Sequence, residues 1–260
     1  MPDWFPLLVV VAALVPLVLL ERWIHQHLHG LALLATGNDD VALLVYALFL
    51  FPGVALHELS HWVAARLLGV RTGAMTLWPK RQRDGHIRLG SVTVQQADVV
   101  RASLIGVAPL VSGSLVVLLI GQLAFGVGVL GDALRAGDNR AIAAALAATA
   151  RAPDMWVWLY LLFAVANAML PSESDRETWP PVILFLAVIV VVAYVLGFSN
   201  FLLDLAPWVA SALRWLSVAF VLTIMADVPF VILIALAEWL FSVGGQRVYY
   251  KRIDKKRARR

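Results

Sequence analysis

The sequence predicts an all-α polytopic membrane protein with six transmembrane helices and a small β-hairpin between the second and third helices. Three observations predict this fold. The 260 residues are 61% hydrophobic and only 15% charged, and their mean hydropathy is +0.82. A soluble domain does not need that much apolar surface. Long apolar segments recur along the chain, and a bilayer crossing needs about 20 such residues. One segment rich in Thr, Val and Ile interrupts this helical character.

Six apolar segments are the predicted spans of one membrane domain that covers residues 1–260. The first span and its loop occupy residues 1–40, and the last two spans and a basic tail occupy residues 179–260. Several spans contain a proline, which transmembrane helices tolerate. The predicted spans are residues 4–20, 41–68, 103–130, 155–170, 182–203 and 215–243.

The basic residues predict the orientation of these spans. With six spans, 15 Lys and Arg lie on the side that holds both termini, against 5 on the other side. Because cytoplasmic loops carry the excess of Lys and Arg, we expect both termini in the cytoplasm, in a bacterial or archaeal cytoplasmic membrane. Basic clusters at residues 71–101 and 247–260 are expected to contact anionic lipid of the bilayer. No nucleic-acid-binding motif is present, so no nucleic-acid partner is expected.

The loop after the second span is predicted to form the hairpin. Residues 72–78 and 86–94 contain most of its Thr, Val and Ile, and Asp84-Gly85 between them is a turn signal. The apolar and polar alternation changes phase near Gly90, which predicts a bulge there.

The second span contains His57-Glu58-Leu59-Ser60-His61. On a helix, two histidines four residues apart project from one face and can bind one metal ion, and the adjacent Glu58 can act as a base. Without cysteine in the chain, any further ligand must be His or a carboxylate. If Arg66 marks the membrane interface, His57 lies about 13 Å inside it. The alternative is a set of polar residues that satisfy one another inside a helical bundle.

The segment NAMLPSESD, from Asn167 to Asp175, closes the fourth span. Together with the HExxH motif it resembles the site-2 protease family of intramembrane zinc metalloproteases, which combine HExxH with Asn-x-x-Pro…Asp-Gly. The resemblance covers about residues 41–178, the expected protease core. It implies zinc ligands at His57, His61 and Asp175, a catalytic base at Glu58 and binding of the substrate backbone at Asn167. Two positions depart from the family pattern: Arg176 replaces its Gly, and Pro171 lies one residue later.

The expected substrate is a transmembrane helix of another membrane protein, which would unwind and pair with the edge of the hairpin. Glu173, Glu177 and Asp227 are alternatives to Asp175 as the third ligand. A metal-binding transporter or chaperone without protease activity, or a purely structural partner, would not need the base. The residues His25, His27 and His29 are expected to be interfacial histidines in the loop after the first span.

Overall fold

The computed structural model describes residues 5–81 and 87–244, and most of these residues are helical. The helices are α1 Phe5–Thr36, α2 Asp39–Leu67, α3 Val99–Leu123, α4 Val127–Ala136, α5 Asn139–Ala150, α6 Met155–Ala166, α7 Trp179–Val195 and α8 Ser199–Val243. The strands are β1 Thr72–Thr76, β2 Lys80–Arg81, β3 Ile87–Arg88 and β4 Ser91–Val94.

Four helices within the described residues are long and apolar enough to cross a membrane, namely α1, α2, α3 and α8. Helices α6 and α7 are apolar but shorter. The prediction of a mostly helical chain with several helices long and apolar enough to span a membrane is therefore confirmed. Crossing of the bilayer by α6 and α7, which six spans require, stays a prediction.

Local signals in the sequence set the ends of the helices that carry the site. The Asn38 side chain accepts hydrogen bonds from the backbone N–H groups of Asp40 and Val41 and caps α2. After α2, Gly69 adopts a φ of 71°, a left-handed conformation that glycine reaches without strain. Asp98 caps α3 in the same way as Asn38 caps α2.

The loop predicted after the first span is wrong. Helix α1 continues without a break to Thr36, so His25, His27 and His29 lie on the helix rather than in a loop. The continuation is stabilised by partners distant in sequence: His25 bonds to Tyr46, and His27 bonds to Glu238 on α8. Helix α8 likewise begins at Ser199, well before the predicted residue 215.

The hairpin prediction is confirmed, with a difference in detail. Strand β1 pairs antiparallel with β4, and β2 pairs antiparallel with β3. No bulge occurs at Gly90; instead Leu89-Gly90 separates β3 from β4, and the register shifts between Thr72 and Met75 of β1. The predicted turn at Asp84-Gly85 and the basic tail at residues 247–260 lie outside the described residues.

Helix α2 packs against α1, α3 and α6, and α8 packs against α1, α3 and α6. Apolar side chains fill the space between them; Phe163 of α6 is fully buried and stacks on Phe230 of α8 with ring centroids 3.9 Å apart. This packing places the end of α6 beside the middle of α2, where the HExxH motif lies.

Candidate metal centre

His57 and His61 lie one turn apart on α2, and each ring is held by a backbone carbonyl of another segment. Nδ1 of His57 donates to the carbonyl of Ala168, 2.6 Å away, and Nδ1 of His61 donates to that of Ile105, 2.9 Å away. Each Nε2 atom therefore keeps its lone pair, and the two Nε2 atoms lie 3.1 Å apart. Two lone pairs that face each other repel unless a cation lies between them.

Asp175 brings a carboxylate to these nitrogens from the segment between α6 and α7. Its Oδ1 lies 3.3 Å from Nε2 of His61, and its Oδ2 lies 3.6 Å from Nε2 of His57. The backbone N–H and the hydroxyl of Ser172 both donate to Oδ2, over 2.8 and 2.6 Å. Burial alone would raise the pKa of the Asp175 carboxyl group, but the hydrogen bonds from Ser172 favour its ionised form and act to lower that pKa.

These donors fit a zinc ion. Zinc binds imidazole nitrogen and carboxylate oxygen at about 2.0–2.2 Å, so neighbouring ligand atoms around a tetrahedral ion lie about 3.3–3.6 Å apart. The two Nε2 atoms lie 3.1 Å apart, slightly closer than this spacing, and Asp175 places one oxygen 3.3 Å from His61 and its other oxygen 3.6 Å from His57. Within the described residues, this is the one group of three such side chains whose ligand atoms come together, all within 4.8 Å.

Glycines on α2 and α3 let the Asp175 segment approach. A Cβ atom on Gly106 of α3 would collide with the backbone oxygen of Asp175, and one on Gly113 would collide with the Met169 side chain. On α2, a Cβ atom on Gly53 would collide with the carbonyl of Ala164 near the end of α6. The position of Asp175 relative to α2 and α3 therefore depends on glycines, which have no side chain.

Glu58 lies beside the three donors but is not one of them. Glu58 is 7% exposed. Gly90, between β3 and β4, lies directly against it, since a Cβ on Gly90 would come within 2.7 Å of the Glu58 Cγ atom. The hairpin thus covers the carboxylate that the motif identifies as the base.

Asn167 caps the end of α6, and Asp227 of α8 is its partner. The Asn167 amide donates to Oδ1 of Asp227, 2.7 Å away, and to the carbonyl of Phe163, 3.0 Å away. With both amide hydrogens used, the amide oxygen Oδ1 is buried and has no hydrogen-bond partner among the described residues. Asp227 is occupied with Asn167 and does not join the three donors, and Glu173 and Glu177 are exposed.

Sequence reasoning missed His25 as a residue near the site. Nε2 of His25 donates to the carbonyl of Asn167, 3.0 Å away, and its Nδ1 accepts a hydrogen bond from the Tyr46 hydroxyl. The available signal was helical spacing: His25 and His29 are four residues apart, and both rings meet Tyr46 edge to face.

Comparisons of the chain with protein-family models, with curated proteins and with solved structures give no match. The resemblance to site-2 proteases therefore rests on the sequence patterns within residues 41–178.

Proposed function

We propose that this chain is an intramembrane zinc endopeptidase of the site-2 protease type, which cleaves transmembrane helices of other membrane proteins. The observation that supports it most is the convergence of His57, His61 and Asp175 on one point with Glu58 buried beside them. A transporter or chaperone would need the three ligands, but it would not need a fourth, non-ligating carboxylate in an apolar environment, where ionisable groups are costly.

The roles of the residues follow from their contacts. When bound, zinc would supply a water nucleophile of lowered pKa and polarise the scissile carbonyl group. The carbonyls of Ala168 and Ile105 hold the two histidine rings in the tautomer that leaves Nε2 free to bind. Glu58 takes a proton from the attacking water as the bond from oxygen to the carbonyl carbon forms. It then donates that proton to the amide nitrogen as the C–N bond breaks.

The substrate would be an unwound stretch of a transmembrane helix. In an intact helix the backbone N–H and C=O groups are already hydrogen-bonded to one another and cannot pair with a strand. Strands β1 and β4 form a two-stranded sheet whose outer edges carry no further strand in the described part of the chain. An extended peptide can pair with such an edge regardless of its sequence. Oδ1 of Asn167 has no hydrogen-bond partner among the described residues, and it would accept a backbone N–H of the same peptide once the peptide enters between the helices.

We further propose six crossings with both termini in the cytoplasm, in which α6 and α7 complete the spans. Helix α6 is only 12 residues long, about 18 Å, and it ends at Asn167 beside the metal centre. Its shortness fits a site below the membrane surface, reached from the cytoplasm through residues 167–178.

Cleavage of a transmembrane helical substrate by the purified protein in liposomes tests this function. Wild-type protein with zinc should cleave, and chelation should abolish cleavage. Glu58→Gln keeps the shape of the side chain but removes the base, so cleavage should fall by at least about 10²–10⁴-fold, with zinc content unchanged. Glu177→Gln makes the same chemical change at an exposed position two residues after Asp175, and it should leave cleavage unaltered.

The other outcomes separate the rival functions. Cleavage at the wild-type rate by Glu58→Gln would refute the protease mechanism. Zinc binding by the wild type without cleavage of any helical substrate would favour a transporter or chaperone. Loss of zinc in Glu58→Gln would make Glu58 a ligand.

A further inference from the structure

Buried polar contacts join three helices to the end of α6. From α1, His25 donates to the carbonyl of Asn167; from α2, the Tyr46 hydroxyl donates to the other nitrogen of His25. From α8, Asp227 accepts a hydrogen bond from the Asn167 amide over 2.7 Å. Asn167 and Asp227 are 3% and 1% exposed. Both the backbone and the side chain of Asn167 are thus held from outside its own helix.

The next residue connects this network to the metal centre. The carbonyl of Ala168, which follows Asn167 directly, accepts the hydrogen bond from Nδ1 of His57. This bond fixes the rotation of the His57 ring and therefore the direction in which its Nε2 points. A shift of the turn at Asn167-Ala168 would move the acceptor and turn the ring away from the other two ligands.

We propose that His25 and Asp227 are positioning residues that hold the Asn167-Ala168 turn and thereby orient His57 as a metal ligand. A carboxylate as deeply buried as Asp227 is costly without a partner, and its described partner is the amide of this turn. Residues that orient a metal-binding histidine typically contribute about 10–100-fold to metal affinity. The inference rests on the proposed metal site but not on proteolysis.

The alternative role for the two residues is simple packing of α1 and α8 against the end of α6. A packing role predicts that any loss of a buried hydrogen bond on α8 has the same effect. Thr223 provides this comparison. It lies one turn before Asp227, is 1% exposed, and donates only within its own helix, to the carbonyl of Ala219.

Metal affinity, measured by competition with a chromophoric zinc chelator in detergent, tests the proposal without any substrate. Asp227→Ala should weaken zinc binding by about 10-fold, the lower end of that range, because Asp227 acts on His57 through the Asn167-Ala168 turn. Asp227→Asn should retain wild-type affinity, because its amide oxygen still accepts from Asn167. Thr223→Val should also retain wild-type affinity, even if its melting temperature falls. Cobalt substituted for zinc should show altered d–d absorption in Asp227→Ala but not in the other two variants.

His25→Phe provides an independent test. Phenylalanine keeps an aromatic ring at this position but cannot donate a hydrogen bond to the Asn167 carbonyl. It should weaken zinc binding like Asp227→Ala, and it replaces that variant should Asp227→Ala fail to fold. Wild-type zinc affinity and an unchanged cobalt spectrum in folded Asp227→Ala or His25→Phe would overturn this inference and leave the proposed function standing. Equal loss of affinity in Thr223→Val would also overturn it. Absence of metal binding by the wild type would overturn both proposals.

Discussion

Gly90 lies against Glu58, so the hairpin and the proposed catalytic base share a contact surface. A Cβ atom at position 90 would come within 2.7 Å of Cγ and 2.9 Å of Oε1 of Glu58. Those distances are shorter than van der Waals contact, so no side chain fits there unless Glu58 or the strand moves. The position of the hairpin relative to α2 therefore depends on a glycine at position 90.

Gly90→Ala should reduce cleavage while leaving zinc bound. The added methyl group displaces either the Glu58 carboxylate or the strand beside it, and a misplacement of about 1 Å can lower a rate by about 10²-fold. Zinc content should not change, because Glu58 is not among the three ligands. Kinetic assays paired with metal analysis provide the measurement. Gly131→Ala is the matched control, since a Cβ on Gly131 meets nothing within 4 Å; equal activity of the two variants would contradict the contact.

Asp175→Ala should lose zinc. Removal of a direct ligand should weaken binding by more than the about 10–100-fold typical of residues that only orient a ligand. Zinc affinity of the purified variants measures this, with Glu173→Ala as an exposed acidic control in the same segment. Full zinc content in Asp175→Ala together with complete loss in Asp227→Ala would identify Asp227 as the third ligand instead.

Gly106→Ala should both destabilise the protein and weaken zinc binding. The new Cβ collides with the backbone of Asp175, and overpacking a buried contact typically costs about 1–3 kcal/mol. Because backbone cannot rotate aside as a side chain does, the segment that carries the ligand must move away from α3. On the same helix, a Cβ atom on Gly121 would meet side chains rather than backbone, with Leu222 Cδ1 at 2.8 Å and Val127 Cγ2 at 3.5 Å, so Gly121→Ala is the matched control. Thermal melts and zinc titrations should show a larger effect for Gly106→Ala, and equal effects would argue against a role in placing Asp175.

The contrast between His61 and His25 shows how far the sequence predicts this site. The HExxH spacing identified His57, Glu58 and His61 because one helix turn brings all three to one place. Asp175 needed the resemblance to a family motif, since nothing in its own segment specifies a fold that returns to α2. His25 was missed because its partners, Tyr46 and the Asn167 carbonyl, belong to segments remote in sequence.

The same reason explains the helix ends. Hydropathy locates apolar segments well, and the predicted spans overlap the cores of α2 and α3. The hydropathy pattern places the end of the first span at residue 20 because Glu21 and the histidines that follow it are polar. Partners on α2, α6 and α8 compensate for part of that polarity, so the helix continues to Thr36. Such compensation is a property of tertiary packing, and the local sequence shows only the four-residue spacing of His25 and His29.

The six-span topology predicts which loops share a side of the membrane. The chain contains no cysteine, so a single introduced cysteine is a unique target for a membrane-impermeant maleimide. In intact cells Ala144→Cys, on the exposed face of α5, should be labelled. Gln96→Cys and Glu177→Cys, also at exposed positions, should be labelled only after the membrane is permeabilised. The cysteine-free parent gives the background.

Each pair of positions tests a separate crossing. Gln96 and Ala144 flank α3, whereas Ala144 and Glu177 flank α6, the helix whose crossing is least supported by its length. Labelling of Ala144→Cys and Glu177→Cys from the same side would mean that α6 does not cross. If both were labelled in intact cells, the metal centre would not be reached from the cytoplasm through residues 167–178. Labelling from opposite sides would place α6 across the bilayer, with Asp175 at its cytoplasmic end as the positive-inside distribution predicts.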